Sequence, residues 1–351
     1  MINSTFNTTN TAVSAVPEEI YLVLGLYLSF VCFIGVTANG LSLVVFFRFS
    51  HLRTPTNTFI IALLINDIIM CLVGIPLSAI ANFQGYFVWG FSVCIFQGFV
   101  MYFGSISSMY ILTAISVNRY IVIVIKRTLS QKKVKYMQSI LALVFCYIFG
   151  LFWSGIPFSG WTRYEYEAIG TTCSVAFNSA DYLILSYNIS IFIFCYLLPV
   201  LTMIYCYINI VRMIRRTKPQ LLRNQKVMKR WVTMEKRLVR TILLMICAFL
   251  ISWTPYAVVA FWRAFGLGDL PVIASGIPAI SSKMSSALNP FIYTFNNKEF
   301  KSALFELIPC RLKRSKRTQP DAGVDKGNNM EQGQHLLTQL IGVATIKTET
   351  I

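Results

Sequence analysis

Long apolar segments alternate with shorter polar ones along most of this chain of 351 residues. A helix needs about 20 consecutive apolar residues to cross the hydrocarbon core of a bilayer, and it satisfies its own backbone hydrogen bonds there. The runs of sufficient length are residues 20–47, 57–80, 91–125, 137–158, 182–213, 238–265 and 271–295. They predict an all-α membrane protein whose core is a seven-transmembrane helix bundle.

The polar remainder divides the chain into three regions. Residues 1–19 form an extracellular tail, residues 20–308 the helical domain, and residues 309–351 a cytoplasmic tail. This last tail is polar and poor in aromatic residues, so we expect it to be disordered. A short amphipathic eighth helix is predicted after the seventh run, because apolar residues there recur on one helical face. These residues are Phe300, Leu304, Leu307 and Ile308.

Composition and charge support a membrane protein. The chain is 56% hydrophobic and 13% charged, whereas soluble domains carry about 25% charged residues. The net charge of +17 does not indicate nucleic acid, because of 31 Lys and Arg only Arg163 and Arg263 fall on the predicted extracellular side. This asymmetry places the N-terminus outside, where Asn3 and Asn7 match the N-glycosylation pattern. The nine cysteines lack metal-ligand spacing, so no metal site is predicted.

One cation interrupts the seventh run. Lys283 lies in the otherwise uncharged segment 271–295, and a cation at the centre of a membrane helix costs about 2.5–3.5 kcal/mol on insertion scales. Such residues are usually functional. A buried lysine amine can be desolvated, deprotonated and joined to an aldehyde as a Schiff base. Lys283 is therefore the candidate for covalent chemistry.

Several polar, aromatic and proline residues occur in a fixed order along the spans. They are Asn39, Asn66, Asp67, Asn118, Arg119, Tyr120, Pro199, Tyr207, Trp253, Pro255, Tyr256, Asn289, Pro290 and Tyr293. Over about residues 20–308 this set resembles the rhodopsin-type G protein-coupled receptors. The spacing from Lys283 to Asn289 and the outer segment 160–173 further resemble the animal opsins, the receptors that carry retinal. Tyr147, where most members have Trp, suits a divergent branch, whether ciliary-like or cnidarian-like.

The resemblance implies a chromophore site. Retinal would be attached to Lys283, as the 11-cis isomer in darkness and the all-trans isomer after light. Cys94 and Cys173 would form a disulfide that holds the outer loop over the bundle, the alternative being two free thiols. Gln97 stands where vertebrate visual opsins have a glutamate, and Gln cannot neutralise a charge. The loop residue Glu167 is then the predicted counterion, with a bound chloride as the alternative.

The resemblance also implies a pocket and a switch. The expected pocket residues, each of which could instead be ordinary core, are Trp253, Tyr256, Phe192, Tyr102, Gly98 and Gln97. The residues expected at the switch and the G protein surface are Arg119, Tyr120, Glu235, Asp67, Asn289, Pro290 and Tyr293. Cys310 follows the eighth helix and is a candidate for palmitoylation, a plain thiol being the alternative.

These residues indicate a receptor of the plasma membrane and not an enzyme. The expected partners are a heterotrimeric G protein, a receptor kinase and arrestin, together with the lipid bilayer. Two alternatives stay open: a photoisomerase opsin that binds all-trans-retinal in darkness, and a receptor for a diffusible anionic ligand that pairs with Lys283. A channel or transporter is disfavoured, because Asp67 and Lys283 are the charged residues away from the ends of the spans, too few for an ion path.

Overall fold

The computed structural model describes residues 16–125, 136–177, 181–216 and 226–307, without the side chains of residues 216, 226–232, 234 and 235. The predicted sites Asn3, Asn7 and Cys310, most of the N-terminal tail, the side chain of Glu235 and the tail 309–351 lie outside this part. Within it, six helices are long and apolar enough to cross a membrane. A seventh span follows them as two α-helical segments joined by a 3-10 turn, and the predicted seven-helix bundle is confirmed.

The helices follow the order of the apolar runs. They are α1 (Glu18–Arg48), α2 (Pro55–Gln84), α3 (Gly90–Ile125), α4 (Tyr136–Phe158), α5 (Tyr182–Ile191, Phe192–Leu197 and Leu198–Arg216), α6 (Lys226–Ala264), α7 (Val272–Ser281, Ser282–Met284 and Ser285–Asn296) and α8 (Lys298–Leu307).

The sixth helix is longer than its apolar run predicts. It begins at Lys226 and the fifth ends at Arg216, although hydropathy assigned residues 214–237 to a loop. The added residues are rich in Lys and Arg, which are strong helix formers. A helix that continues beyond the bilayer leaves no apolar run, so the sequence pattern underestimated its length.

The seventh span contains the irregular turn that carries Lys283. The hydroxyls of Ser281 and Ser282 donate to the carbonyl oxygens of Pro278 and Ala279 at 3.0 and 2.8 Å. Such bonds compete with the backbone ladder and often bend a helix. A 3-10 turn, Ser282–Met284, results there.

Buried polar side chains join α1, α2 and α7 below this turn. Asn39 Nδ2 donates to the Ser286 carbonyl oxygen at 2.9 Å, and Asn289 Nδ2 donates to Asp67 Oδ2 at 2.8 Å. Asp67 is only 1% exposed. A buried carboxyl without hydrogen bonds is costly, so these amides fix the packing of three helices around it.

The outer loop between α4 and α5 contains a short hairpin. Strands β1 (Tyr164–Tyr166) and β2 (Cys173–Val175) pair antiparallel, with Tyr166 opposite Cys173. The predicted disulfide between Cys94 and Cys173 is confirmed, with a Cα–Cα distance of 5.4 Å. It ties β2 to the outer part of α3, so the loop is held over the open end of the bundle.

The eighth helix packs against the opposite end of the bundle, which we call the basic end because it carries Arg119 and the basic part of α6. Asn297 Oδ1 accepts from the backbone amides of Glu299 and Phe300, both at 3.1 Å, which caps the helix. The Phe300 ring lies 4.8 Å from that of Tyr293. The predicted amphipathic helix is therefore anchored by one buried aromatic side chain.

Gly98 provides a test of how closely the hairpin packs on α3. A Cβ atom there would lie 3.0 Å from the Tyr164 ring and 3.3 Å from the Cys173 carbonyl oxygen. The disulfide restrains β2, so Gly98→Val should destabilise the purified receptor by about 1–3 kcal/mol, the usual range for overpacking. The measurement is the midpoint of thermal unfolding in detergent.

Gly40→Val is the matched control, because a Cβ at Gly40 on α1 would meet no atom within 4 Å. Both changes place a valine in a helix, so the difference between the unfolding midpoints of the two variants reports the cost of the close packing at Gly98. Equal unfolding midpoints for the two variants would contradict the close approach of β2 to α3.

Candidate functional site

Lys283 lies inside the bundle, on the irregular turn of α7. Its side chain is 5% exposed. Nζ donates to the Ala279 carbonyl oxygen at 3.3 Å and to Thr172 Oγ1 at 3.5 Å. Both contacts are long for hydrogen bonds, and neither acceptor is charged. The amine is therefore loosely held in a nearly dry site.

Thr172 belongs to a polar cluster between the loop, α2 and α3. Gln97 Nε2 donates to Thr172 Oγ1 at 3.1 Å and to Ser78 Oγ at 2.9 Å, while Gln97 Oε1 accepts from the Cys173 amide at 3.1 Å. The Gln97 amide is thus engaged with the loop. This cluster orders the groups around Lys283 but supplies no negative charge.

Glu167 supplies the negative charge near Lys283. It lies in the turn of the outer hairpin, where its amide donates to the Thr172 carbonyl oxygen at 2.9 Å and its carbonyl oxygen accepts from the Gly170 amide at 2.8 Å. Gly170 has φ +79°, a conformation that favours glycine. The tight turn brings Glu167 back over the bundle.

The electrostatics of Glu167 combine opposing effects. Burial raises the pKa of Glu167 to about 7, against the lowering effects of the Lys283 charge, the Ser174 hydroxyl, the Arg263 charge and the Tyr256 hydroxyl. Burial disfavours a charged carboxylate and nearby cations favour it. Among the lowering effects the Lys283 charge is the largest. Glu167 and Lys283 therefore form an electrostatically coupled pair.

A cavity of about 330 Å³ lies beside this pair, between α3, α5 and α6. Four predicted pocket residues line it: Tyr102, Phe192, Trp253 and Tyr256. The other lining residues are mostly apolar and include Ile106, Met109, Ala257, Ala260 and Phe261. Its volume falls in the range of small-molecule sites, roughly 300–1,000 Å³.

The remaining predicted pocket residues lie elsewhere. Gln97 belongs to the polar cluster, and Gly98 faces Tyr164 and Cys173. Lys283 is not among the lining residues of the cavity. The two parts of the site meet at Tyr256, which lines the cavity and lowers the pKa of Glu167.

Three consecutive contacts hold α6 to its neighbours around Pro255. The Tyr256 and Tyr102 hydroxyls lie 3.3 Å apart, and Trp253 Nε1 donates to Ser285 Oγ at 3.0 Å. The Thr254 hydroxyl lies 2.7 Å from that of Tyr196. A proline within a helix leaves a carbonyl without its usual partner and marks a kink. The cavity wall is thus held to α3, α7 and α5 around Pro255.

The helix α5 departs from regular α-helical geometry where it lines the cavity. Its segment Phe192–Leu197 forms a wider, π-helical turn, and Phe192, Cys195 and Tyr196 of that segment line the cavity. Such π-bulges occur frequently at functional sites. The sequence predicted Phe192 there but gave no signal for the turn itself.

Of the predicted switch residues, Asp67, Asn289 and Pro290 lie below the turn that carries Lys283, whereas Arg119, Tyr120 and Tyr293 lie nearer the basic end. Arg119 is 6% exposed and donates to Thr56 Oγ1 on α2 and, at 3.1 Å, to Asn118 Oδ1. The Tyr120 ring lies 5.7 Å from that of Tyr205. On α7, Tyr293 is 1% exposed.

Some contacts in the site had no sequence signal. Thr172 and Ser174 were not predicted, although they flank Cys173 and share its tether to α3. Arg240 and Asn296 were also missed: Arg240 Nε and Nη2 donate to Asn296 Oδ1 at 3.1 and 2.7 Å. This contact joins the basic ends of α6 and α7, which lie far apart in sequence.

Comparison with known proteins gives consistent results. The model of the 7 transmembrane receptor (rhodopsin family) matches residues 38–293. Opsin-VA of Rutilus rutilus is 31% identical over 292 residues, which are 83% of this chain and 75% of that protein. Rhodopsin of Sepia officinalis is 30% identical over 304 residues, 84% of this chain but 65% of that protein, just under two thirds.

The solved structure of squid rhodopsin superposes with a TM-score of 0.76 at 28% identity, over 92% of this chain and 93% of that one. The family match spans most of the helical bundle, and both relatives and the solved structure are opsins. The chain therefore belongs to the rhodopsin family of seven-transmembrane receptors and, within that family, to the animal opsins, its light-sensing members.

Proposed function

We propose that this opsin is a light receptor that binds retinal covalently through Lys283 and activates a heterotrimeric G protein after photoisomerisation. The observation that carries the proposal is a nearly dry lysine amine beside Glu167, at the edge of an apolar, aromatic cavity. A soluble anionic ligand would suit such a cavity poorly, because burying a charge against apolar walls is costly.

The residues present fit retinal in size and polarity. Tyr102, Phe192, Trp253 and Tyr256 would hold the polyene, and Lys283 would provide the covalent link. When bound, retinal supplies the absorption of visible light and a change of shape upon isomerisation. The protein supplies the anchoring amine, a dry enclosure and a nearby negative charge.

Glu167 has the role of counterion in this proposal. A buried cation requires an anion or hydrogen-bond acceptors nearby, and the polar cluster of Gln97, Ser78 and Thr172 is neutral. The charge of Lys283 is the largest of the effects that lower the pKa of Glu167. A positive charge on the Lys283 nitrogen would therefore be balanced by the Glu167 carboxylate of the loop and not by a residue of α3.

The path from the cavity to the basic end follows α6. Trp253, Thr254 and Tyr256 hold three neighbouring helices, so a change in the cavity alters these contacts at the Pro255 kink. Rigid motion of α6 about a kink is a common switching device. At the basic end of α6 this motion would break the hydrogen bonds from Arg240 to Asn296. Basic residues there would then become accessible to a G protein.

The membrane setting and the other partners belong to the same proposal. The bundle would lie in the plasma membrane with the N-terminus outside, as the distribution of Lys and Arg indicates. A receptor kinase and arrestin would act on the tail 309–351, which contains Ser315 and Thr318. No enzymatic step is proposed.

Reconstitution tests the proposed function directly. The receptor is purified in darkness with 11-cis-retinal, its spectrum is recorded before and after light, and nucleotide exchange on added G proteins is followed. We expect a visible absorption band that changes with light, and light-dependent exchange. A colourless protein would contradict the proposal, and a band obtained with all-trans-retinal in darkness, without exchange, would indicate a photoisomerase.

The counterion assignment predicts a pH dependence. With a pKa of about 7, Glu167 is charged above that pH and becomes neutral as the pH falls through it, so the Lys283 cation loses its partner on the acid side. The visible band should shift with a midpoint near or below pH 7, and Glu167→Gln should abolish this transition. Absorption spectra recorded from about pH 4 to pH 9 measure this transition, because that range includes both the ordinary pKa of a glutamate carboxyl and the raised one.

Glu165→Gln is the control for this experiment. Glu165 lies two residues away and pairs with Arg163 at 3.8 Å in an exposed position, so its loss should leave the transition in place. An unchanged titration in Glu167→Gln would show that another group is the counterion. A titration retained in chloride but lost in sulfate would identify a bound chloride.

The hydrogen bonds from Arg240 to Asn296 lead to a prediction about how much nucleotide exchange the receptor promotes in darkness. Because it joins α6 and α7 in the resting arrangement, Arg240→Gln should raise nucleotide exchange in darkness by about two- to fivefold, the range for an exposed charged contact. Asn296→Ala should have a similar effect. Lys236→Gln, one turn away on α6, is the control, and equal dark exchange in all variants would contradict a restraining role.

A further inference from the structure

A polar recess of about 450 Å³ lies at the outer end of the bundle, between the hairpin loop and the connection from α6 to α7. Its wall includes Arg263, Glu165, Tyr166, Ala168, Phe177 and Asp269. Two of these residues, Tyr166 and Ala168, flank Glu167 directly in sequence. The recess therefore adjoins the segment that carries the proposed counterion, on the side facing water.

Arg263 is the basic residue of this recess. It lies seven residues after Tyr256 on α6, which is two turns and about 10 Å further out on the same helical face. The Tyr256 ring lies 6.1 Å from that of Phe177, which lines the recess, and Tyr256 also lowers the pKa of Glu167. One face of α6 thus presents first Tyr256 and then Arg263 to the loop.

The charge of Arg263 is not neutralised by direct contact. Among the described carboxylates none lies within ion-pairing distance of it, whereas the second outer arginine, Arg163, pairs with Glu165 at 3.8 Å. An unpaired guanidinium at the rim of a recess acts on nearby carboxylates through space. The Arg263 charge is felt at Glu167, where it favours the ionised form.

The other groups around Glu167 complete its environment. Lys283 faces it from α7, Tyr256 from α6, Tyr102 from α3 and Ser174 from β2. Glu165 and Asp269 are the acidic residues on the recess side. Lys283 and Arg263 are the two cations that act on it, one from the dry side and one from the wet side.

We propose that Arg263 is a positioning residue that stabilises the Glu167 carboxylate from the solvent side and so keeps it charged for Lys283. This inference rests on the proposed function, because it concerns the counterion of the same site. It adds a role for the outer end of α6 and for the ionic conditions outside the cell. Salt screens exposed charges over about 10 Å at 0.1 M and buried pairs much less, so the contribution of Arg263 should weaken as salt rises.

The experiment measures the pH midpoint of the visible band in the retinal-loaded receptor. Arg263→Gln removes one cation from Glu167, so the midpoint should rise by roughly half a pH unit, as expected for a partly exposed charge. Arg263→Lys should restore most of the original value. Arg163→Gln removes the same charge from the neighbouring surface and should leave the midpoint unchanged.

A double variant separates this inference from the proposed function. In the Glu167→Gln background, Arg263→Gln should have no further effect on the spectrum at any pH, and the effect of Arg263→Gln alone should shrink at high salt. An unchanged midpoint in Arg263→Gln, while Glu167→Gln abolishes the transition, would overturn the role of Arg263 only. If no pigment forms, or if Glu167→Gln has no effect, the proposed function itself or its counterion fails.

Discussion

The structure depends on the placement of one lysine amine inside a membrane bundle and on a carboxylate that comes to it from outside. A cation in a membrane helix is expensive, and the neutral groups around Lys283 offer only two long hydrogen bonds. In the proposed function, the compensating charge comes from a loop rather than from a neighbouring helix. Two opposing effects act on Glu167: burial raises its pKa to about 7, and the positive charge of Lys283 opposes that rise.

The outer loop holds Glu167 close to the bundle because the loop itself is attached to α3 at several points. The disulfide from Cys94 to Cys173 attaches β2 to α3, and Gln97 accepts a hydrogen bond from the backbone amide of the same cysteine, Cys173. Closing a long loop lowers the entropy of the unfolded chain and, here, also fixes the position of a charge. The loop therefore covers the bundle and completes its chemical site at the same time.

The sequence predicted those features that leave a local signal. Hydropathy located the spans, and the isolated charge in the seventh run located Lys283. The disulfide followed from the family resemblance. Features that arise from long-range packing were missed: the location of Gly98 beneath β2, the π-helical turn of α5 and the bond from Arg240 to Asn296. The extension of α6 was missed for another reason, because a basic helix in water has no apolar run to mark it.

The account stands on the Lys283 amine as the covalent anchor, and chemical trapping tests this most directly. The receptor loaded with 11-cis-retinal is reduced with borohydride and digested, and the peptides are analysed by mass spectrometry. The account predicts a retinyl adduct on Lys283, and no adduct or visible band in Lys283→Ala. An adduct on a different lysine, or a normal pigment in Lys283→Ala, would contradict it.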